Sequence, residues 1–156
     1  ITKNLNPPKL SNTRFYLLYG QIVNSEENKK ITLKDYRGKW VIVYFFPKAD
    51  TPGWIKEACG FRNAFSEYEK ENITVFGSSY DSPKALSAFK KKFNLPFTLL
   101  SDKGKKVSKA YGTKGRFWAS RVTFVLDNKG RIEKIYKKMN VNTHAGEILD
   151  DILGKE

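Results

Sequence analysis

Residues 41–61 read VIVYFFPKADTPGWIKEACGF, and this segment predicts a buried strand that leads directly into a helix. Its first six residues are all apolar or aromatic, which is typical of a strand buried on both faces of a sheet. Pro47 ends the strand because proline has no N–H to donate to a neighbouring strand. Thr51 is placed to cap a helix whose first position is Pro52.

The residues after Pro52 predict an amphipathic helix. Its apolar side chains recur every three or four positions, at Trp54, Ala58, Phe61, Phe65 and Tyr68. At about 100° per residue, Trp54 lies near the middle of this apolar stripe and Cys59 lies roughly 130° away from it. Where the strand meets the helix, backbone N–H groups and the positive end of the helix dipole converge, which favours an anion or a thiolate.

The remaining chain alternates strands and helices. The segments 22–23 and 31–33 predict an edge hairpin, further strands are expected at 73–79, 121–126 and 131–136, and a short extended segment is expected at 95–100. A helix is expected after Ser82, with an apolar stripe of Ala85, Leu86, Ala88, Phe89 and Phe93. A brief helix is expected from a cap at Ser101 and Asp102 through 107–111, and a last one after Thr143, where we expect His144 to face solvent. A short strand is expected at 15–19. The order predicts an α/β, thioredoxin-like three-layer sandwich with a mixed central sheet flanked by helices, as one domain over 1–156 with an extended lead-in at 1–14.

Several segments also resemble a known family. Pro47, Thr51 and position 54 match the Pro-x-x-x-Thr-x-x-Cys signature of the peroxiredoxins, except that position 54 is tryptophan. FFPKADTPGWIKEACGFRN, LPFTLLSDKGKKVSKAYG and RVTFVLDNKG are similar to the Q-type, or bacterioferritin-comigratory, branch. The resemblance is clear from about Lys30 onward. It implies a thioredoxin fold and the reduction of hydrogen peroxide and alkyl hydroperoxides by a thioredoxin-like reductant, with no cofactor.

The resemblance also implies roles for individual residues. In the family the threonine hydroxyl binds the peroxide, the proline shields the pocket from water and an arginine favours the thiolate. These roles transfer to Thr51, Pro47 and Arg121 respectively. Cys59 falls at the position of the resolving cysteine, and Trp54 stands where the family has its peroxidatic cysteine.

Trp54 therefore determines what can be expected of the chemistry. An indole cannot cycle through a sulfenic acid as a thiol does, and its bulk is expected to fill the peroxide pocket, so we expect the chain to be inactive or severely impaired. Cys59 is not expected to take over, because it lies past the first turn of the helix, where the helix dipole does little to favour a thiolate. Its Cα would lie about 8 to 9 Å from that of residue 54, beyond disulfide reach, so even an intact cysteine pair would need the helix to unwind locally. Both a recent or engineered replacement and a natural inactive relative remain open.

Composition limits the other functions. A net charge of +13 over 156 residues raises the alternative of a non-catalytic protein that binds nucleic acid or another polyanion. The lysines are scattered, however, so we favour a solvated surface. With one cysteine and one histidine, an internal disulfide is excluded and a zinc site is not expected. No apolar run in the sequence approaches the length of a membrane span. We expect an intracellular protein, and the bacterial cytoplasm, the plastid and the nucleus are the alternatives.

The resemblance bears on assembly as well. Q-type members are often monomers, so we expect a monomer. The loop 113–120 carries Phe117 and Trp118, and in the family this loop can contribute to a dimer interface, so a weak dimer is the alternative.

Overall fold

The computed structural model describes residues 22–46, 48–49, 52–105, 122–137, 140 and 142–154. Its strands are β1 (Ile22–Ser25), β2 (Lys30–Thr32), β3 (Trp40–Phe45), β4 (Ile73–Ser79), β5 (Thr98–Ser101), β6 (Val122–Leu126) and β7 (Ile132–Tyr136). Its α-helices are α1 (Pro52–Lys70), α2 (Pro83–Lys92) and α3 (His144–Leu153), and a 3-10 turn spans Leu33–Tyr36.

The seven described strands form one mixed sheet in the order β2-β1-β5-β4-β3-β6-β7. β4 pairs in parallel with both β3 and β5, and the other pairs are antiparallel. The parallel pairs require crossover connections, which α1 and α2 supply. The predicted edge hairpin is present as β1 and β2, and the predicted thioredoxin-like fold with its mixed sheet is confirmed.

β3 is buried on both faces, as its sequence predicted. Ile42 and Tyr44 belong to a hydrophobic cluster on one face, and Val43 and Phe45 belong to a second cluster on the other. The alternation follows from the two-residue period of a strand. All three described helices contribute side chains to the first cluster, so this face of the sheet carries the interface with α1.

The three described helices begin where the sequence predicted. The apolar stripe predicted for α1 is observed, with one member only half-buried, and the stripe predicted for α2 is partly correct. In α1 the side chains of Trp54, Ala58, Phe61 and Tyr68 are buried and Phe65 is half-buried. In α2 only Leu86 and Phe89 are buried, and the predicted Ala85 and Ala88 are exposed. Ser82 caps α2 by accepting a hydrogen bond from the Ala85 N–H at 3.2 Å.

Some expectations concern residues outside the described part. These are the lead-in at 1–14, the strand at 15–19, the later part of the predicted helix at 107–111 and the loop residues Phe117 and Trp118. The start of that helix, after Ser101 and Asp102, was predicted wrongly: the chain forms a turn there, in which the Lys105 N–H donates to the Asp102 carbonyl at 2.8 Å. Among the helices in the described ranges, none combines the length and apolarity needed to cross a bilayer.

Gly77 allows the end of the Tyr44 side chain to approach β4 closely. A Cβ atom at Gly77 would lie 2.8 Å from Cζ and the hydroxyl oxygen of Tyr44 and 2.9 Å from Cδ2 of Leu99. Each of these distances is shorter than a van der Waals contact, and Tyr44 and Leu99 are themselves fully buried. The glycine is therefore required by the close approach of a neighbouring side chain.

We predict that Gly77→Ala lowers the free energy of unfolding by about 1 to 3 kcal/mol, because an extra methyl group in a packed core forces its neighbours to move. Gly146→Ala is the matched control, since a Cβ there meets nothing within 4 Å. Gly146 lies in the first turn of α3, where replacing glycine by alanine is expected to leave stability unchanged or raise it by up to about 0.5 kcal/mol. Urea unfolding of both variants measures the difference, and equal effects would contradict the packing argument.

Candidate functional site

The candidate site lies at the sheet edge where the parallel strands β3, β4 and β5 have their carboxyl ends. The Phe46 N–H donates to the Ser78 carbonyl at 2.9 Å, just after β3 ends. The chain then leaves the sheet, and α1 begins at Pro52. This edge is the usual location of binding sites in open α/β sheets, because loops and helix starts gather there.

Trp54 occupies the first turn of α1 and points into the core. Its side chain is 0% exposed. The indole lies 3.7 Å from the ring of Phe46, measured between centroids, and 4.8 Å from that of Tyr44 in an edge-to-face arrangement. The predicted inward orientation of position 54 is therefore observed.

A cluster of aromatic rings surrounds the indole. Tyr44 stacks on Phe61 at 4.6 Å between centroids and meets Phe97 edge-to-face at 5.9 Å. Phe46 also contacts Phe89 of α2. The indole N–H of Trp54 is buried and makes no hydrogen bond to any residue in the described ranges. Leaving such a donor unsatisfied costs about 1 to 3 kcal/mol, so these surroundings suit the apolar part of the indole better than its polar atom.

The other predicted site residues are placed as follows. Cys59 is a free, half-buried cysteine, and it lies off the buried stripe of α1 that contains Trp54. Pro47, Thr51 and Arg121 lie outside the described residues, so their arrangement around position 54 stays a prediction.

Two buried polar residues that the sequence analysis did not select lie beside this cluster. Glu57 of α1 and His144 of α3 are each 1% exposed, and Oε2 of Glu57 lies 3.7 Å from Nε2 of His144. The same nitrogen is 2.9 Å from Oγ1 of Thr123 on β6. The expectation that His144 faces solvent is wrong, because α3 packs its first turn against α1, where the hydroxyl of Tyr68 donates to the Ala145 carbonyl.

A sequence signal existed for both members of this pair. Glu57 follows Trp54 by three positions and so shares its helix face, which predicts an inward carboxyl if Trp54 points inward. His144 precedes Ile148 by four positions and Ile152 by eight, which places it on the apolar face of α3. The groups that His144 meets depend on how α3 docks, which its local sequence does not specify.

Burial controls the protonation of this region. It lowers the pKa of His144 to about 4, because the ring lies among aromatic side chains, with Phe61 at 5.7 Å and Tyr136 at 5.2 Å between centroids. Burial, together with the nearby Glu57, raises the pKa of Tyr44 well above its usual value. At neutral pH the imidazole and the phenol are therefore both uncharged.

The described residues offer little to hold a metal or a cofactor at this edge. They contain no group of three or more histidine, cysteine, aspartate or glutamate side chains arranged as metal ligands. A pocket of about 230 Å³ is present, but it is lined by residues from the start of β4, including Ile73 and Thr74, and by Phe65 and Glu69 of α1. It lies at the opposite edge of the sheet and does not include Trp54.

Comparison with known proteins relates the chain to one protein family. The sequence pattern of the AhpC/TSA family matches residues 18–135. A putative peroxiredoxin bcp of Coxiella burnetii is 45% identical over 133 residues, which cover 80% of this chain and 88% of that protein. The chloroplastic peroxiredoxin Q of Triticum aestivum is 40% identical over 131 residues, covering 81% of this chain but only 60% of that protein.

Solved structures agree with the sequence relatives. The bacterioferritin comigratory protein of Xanthomonas campestris, studied for alkyl peroxide reduction, superposes with a TM-score of 0.85 at 26% identity, over 90% of this chain and 94% of that one. A cysteine-to-serine mutant of PrxQ from Xylella fastidiosa gives a TM-score of 0.84 at 28% identity, over 99% and 96% of the two chains.

We predict that His144 makes the stability of the protein fall as the pH is lowered from 7 to 4. Its pKa is lower in the folded state, about 4, than the usual value near 6.5. Between pH 7 and 4 the unfolded chain therefore takes up a proton that the folded chain does not. This lowers the free energy of unfolding by about 3 kcal/mol at pH 4.

The measurement compares unfolding free energies of the parent and His144→Gln across this range, because glutamine stays neutral throughout. Since the chain has a single histidine, an NMR titration of its ring follows the same group directly. Parallel stability curves and a ring that titrates near its usual value would contradict this prediction.

Proposed function

Because this chain belongs to the AhpC/TSA family and to its peroxiredoxin Q branch, we propose that it is a peroxiredoxin scaffold whose peroxidatic position is filled by Trp54. In the parent family a thiol reduces hydrogen peroxide and alkyl hydroperoxides and is regenerated by a thioredoxin-like reductant. The chain as it stands lacks the first of these half-reactions.

The burial of the Trp54 side chain carries this proposal. The reaction of the family requires a thiolate that attacks one peroxide oxygen, so that an S–O bond forms, the O–O bond breaks and the other oxygen leaves as water or an alcohol. Position 54, in the first turn of α1, instead carries the indole of Trp54. The indole lies against Phe46 and Tyr44 and has no exposed surface. Neither the nucleophile nor the space for a peroxide is available there.

The surrounding site residues keep their family roles in this proposal. Thr51 would hold the peroxide, Pro47 would exclude water and Arg121 would stabilise the thiolate once a cysteine is present. Cys59 would then resolve the sulfenic acid, which requires α1 to unwind locally because the two positions are about 8 to 9 Å apart along a regular helix.

We predict that the chain has no measurable peroxidase turnover and that Trp54→Cys restores it. The introduced thiol would stand at the start of α1, where the helix dipole lowers a cysteine pKa and favours the thiolate. The assay supplies hydrogen peroxide or an alkyl hydroperoxide together with thioredoxin, thioredoxin reductase and NADPH.

Trp54→Ser is the matched control, because it opens the same space without a sulfur atom and is expected to remain inactive. Both substitutions remove a large buried side chain and are expected to cost about 3 to 5 kcal/mol of stability, so circular dichroism must first show that they are folded. A folded Trp54→Cys without turnover would contradict the proposal. Turnover by the original chain, abolished by Cys59→Ser, would show that Cys59 acts as the peroxidatic thiol.

A second candidate function is binding of nucleic acid, and one feature of α2 favours it. This helix carries Lys84 and the run Lys90, Lys91 and Lys92, and it contains no acidic residue. Arg62 adds a further cation at its carboxyl end by donating to the Phe93 carbonyl at 2.8 Å. Against this, Lys90 pairs with Glu26, and elsewhere Lys134 pairs with Asp151, so part of the positive charge is neutralised within the protein.

We predict that these lysines give only weak binding that disappears at physiological salt. Each phosphate contact releases a counterion, so affinity for DNA falls steeply as salt is raised. The measurement is retention of a fluorescent duplex and of a single strand between low and physiological salt, with Lys84→Glu/Lys91→Glu as the charge-reversed control. Tight binding at physiological salt that this control abolishes would favour the second candidate instead.

A further inference from the structure

The loop between β3 and α1, residues 47–51, is tied to the sheet by a side chain from a distant part of the sequence. The backbone N–H of Ala49 donates to Oδ2 of Asp81 at 2.8 Å, across 32 residues of sequence. This loop carries Pro47 and Thr51, the two positions that the family uses to shape its peroxide pocket. The contact therefore holds the loop at a point between them.

The carboxylate of Asp81 is itself held in place. The hydroxyl of Ser79, which is 0% exposed, donates to the same Oδ2 at 2.7 Å. The Asp81 N–H is 3.2 Å from that hydroxyl oxygen, and the hydroxyl of Ser101 donates to the Asp81 carbonyl at 2.7 Å. Both the backbone and the side chain of Asp81 are thus fixed by groups at the carboxyl ends of β4 and β5.

This arrangement connects all three parallel strands at the edge that carries the site. The Asp102 N–H donates to the Ser79 carbonyl at 2.7 Å, which joins the end of β5 to the end of β4. Asp81 then extends the connection to the loop that follows β3. A hydrogen bond from a backbone N–H to a charged carboxylate is among the stronger ones in proteins, so it can hold a loop that has left the sheet.

We propose that Asp81 is a positioning residue, which anchors the segment between β3 and α1 at Ala49 by accepting a hydrogen bond from its backbone N–H. The catalytic part of this inference rests on the proposed function, because a peroxide pocket matters only where a thiol can react. The anchoring itself does not depend on activity and can be measured in the chain as it stands.

The first experiment measures hydrogen–deuterium exchange at the Ala49 amide by NMR. In Asp81→Ala this amide is expected to exchange about 10 to 100 times faster, because it loses a charge-assisted hydrogen bond. Asp81→Asn keeps an acceptor oxygen and is expected to lie between the parent and the alanine variant. The Phe46 amide, which donates to the Ser78 carbonyl, is the internal control and should be unchanged. An Ala49 amide that exchanges equally fast in parent and Asp81→Ala would overturn the proposal.

The second experiment repeats the substitutions in the Trp54→Cys background. There W54C/D81A is expected to lose about 10- to 100-fold in kcat/KM for peroxide, because a displaced pocket loop misorients the reactants, and KM for thioredoxin is expected to be unchanged. W54C/D81N should recover part of the loss.

The matched control is W54C/D127A, at the opposite edge of the sheet. Asp127 also accepts backbone hydrogen bonds through its carboxylate, from Lys129 and Arg131 at 2.9 and 2.8 Å, and its removal is expected to leave the peroxide rate within about twofold. Equal rate losses in the two alanine variants would overturn the positioning role. If W54C itself reduces no peroxide, the proposed function fails, and exchange at Ala49 still decides whether Asp81 anchors the loop.

Discussion

The packing of the first turn of α1 on the aromatic side chains of β3 is the contact on which the rest of the structure depends. Tyr44 lies between the close approach at Gly77 and the rings of Trp54 and Phe61. This contact brings the start of a helix onto the carboxyl end of a central strand. The side chain at position 54 therefore faces the core, and the proposed function depends on that one side chain.

The same contact explains how the fold accommodates a large aromatic side chain at position 54. The indole packs against Phe46 and Tyr44 and adds buried apolar surface, which stabilises the core. Under the proposed function, this ring takes the place of the reactive thiol. The indole N–H has no acceptor among the described residues.

Polar groups tie this aromatic core to its neighbours on both sides. Glu57 and His144 meet at the interface of α1 and α3, where burial keeps the imidazole neutral near pH 7. On the other side Asp81 links the loop before α1 to the ends of β4 and β5. Hydrophobic packing sets the position of α1 over the sheet, and these directional contacts restrict the orientation of its amino-terminal end.

The sequence by itself determined the elements whose signal is local. The six apolar residues of β3 predicted a doubly buried central strand, and the helical period of α1 predicted that Trp54 points inward and that Cys59 lies off the buried stripe. Only the tertiary structure decided that His144 meets Glu57 and Thr123 and that Asp81 reaches the Ala49 N–H, 32 residues away in sequence. The periodicity of a helix or strand reports which face is buried. Which polar groups then meet depends on how separate elements dock, and no local pattern encodes that.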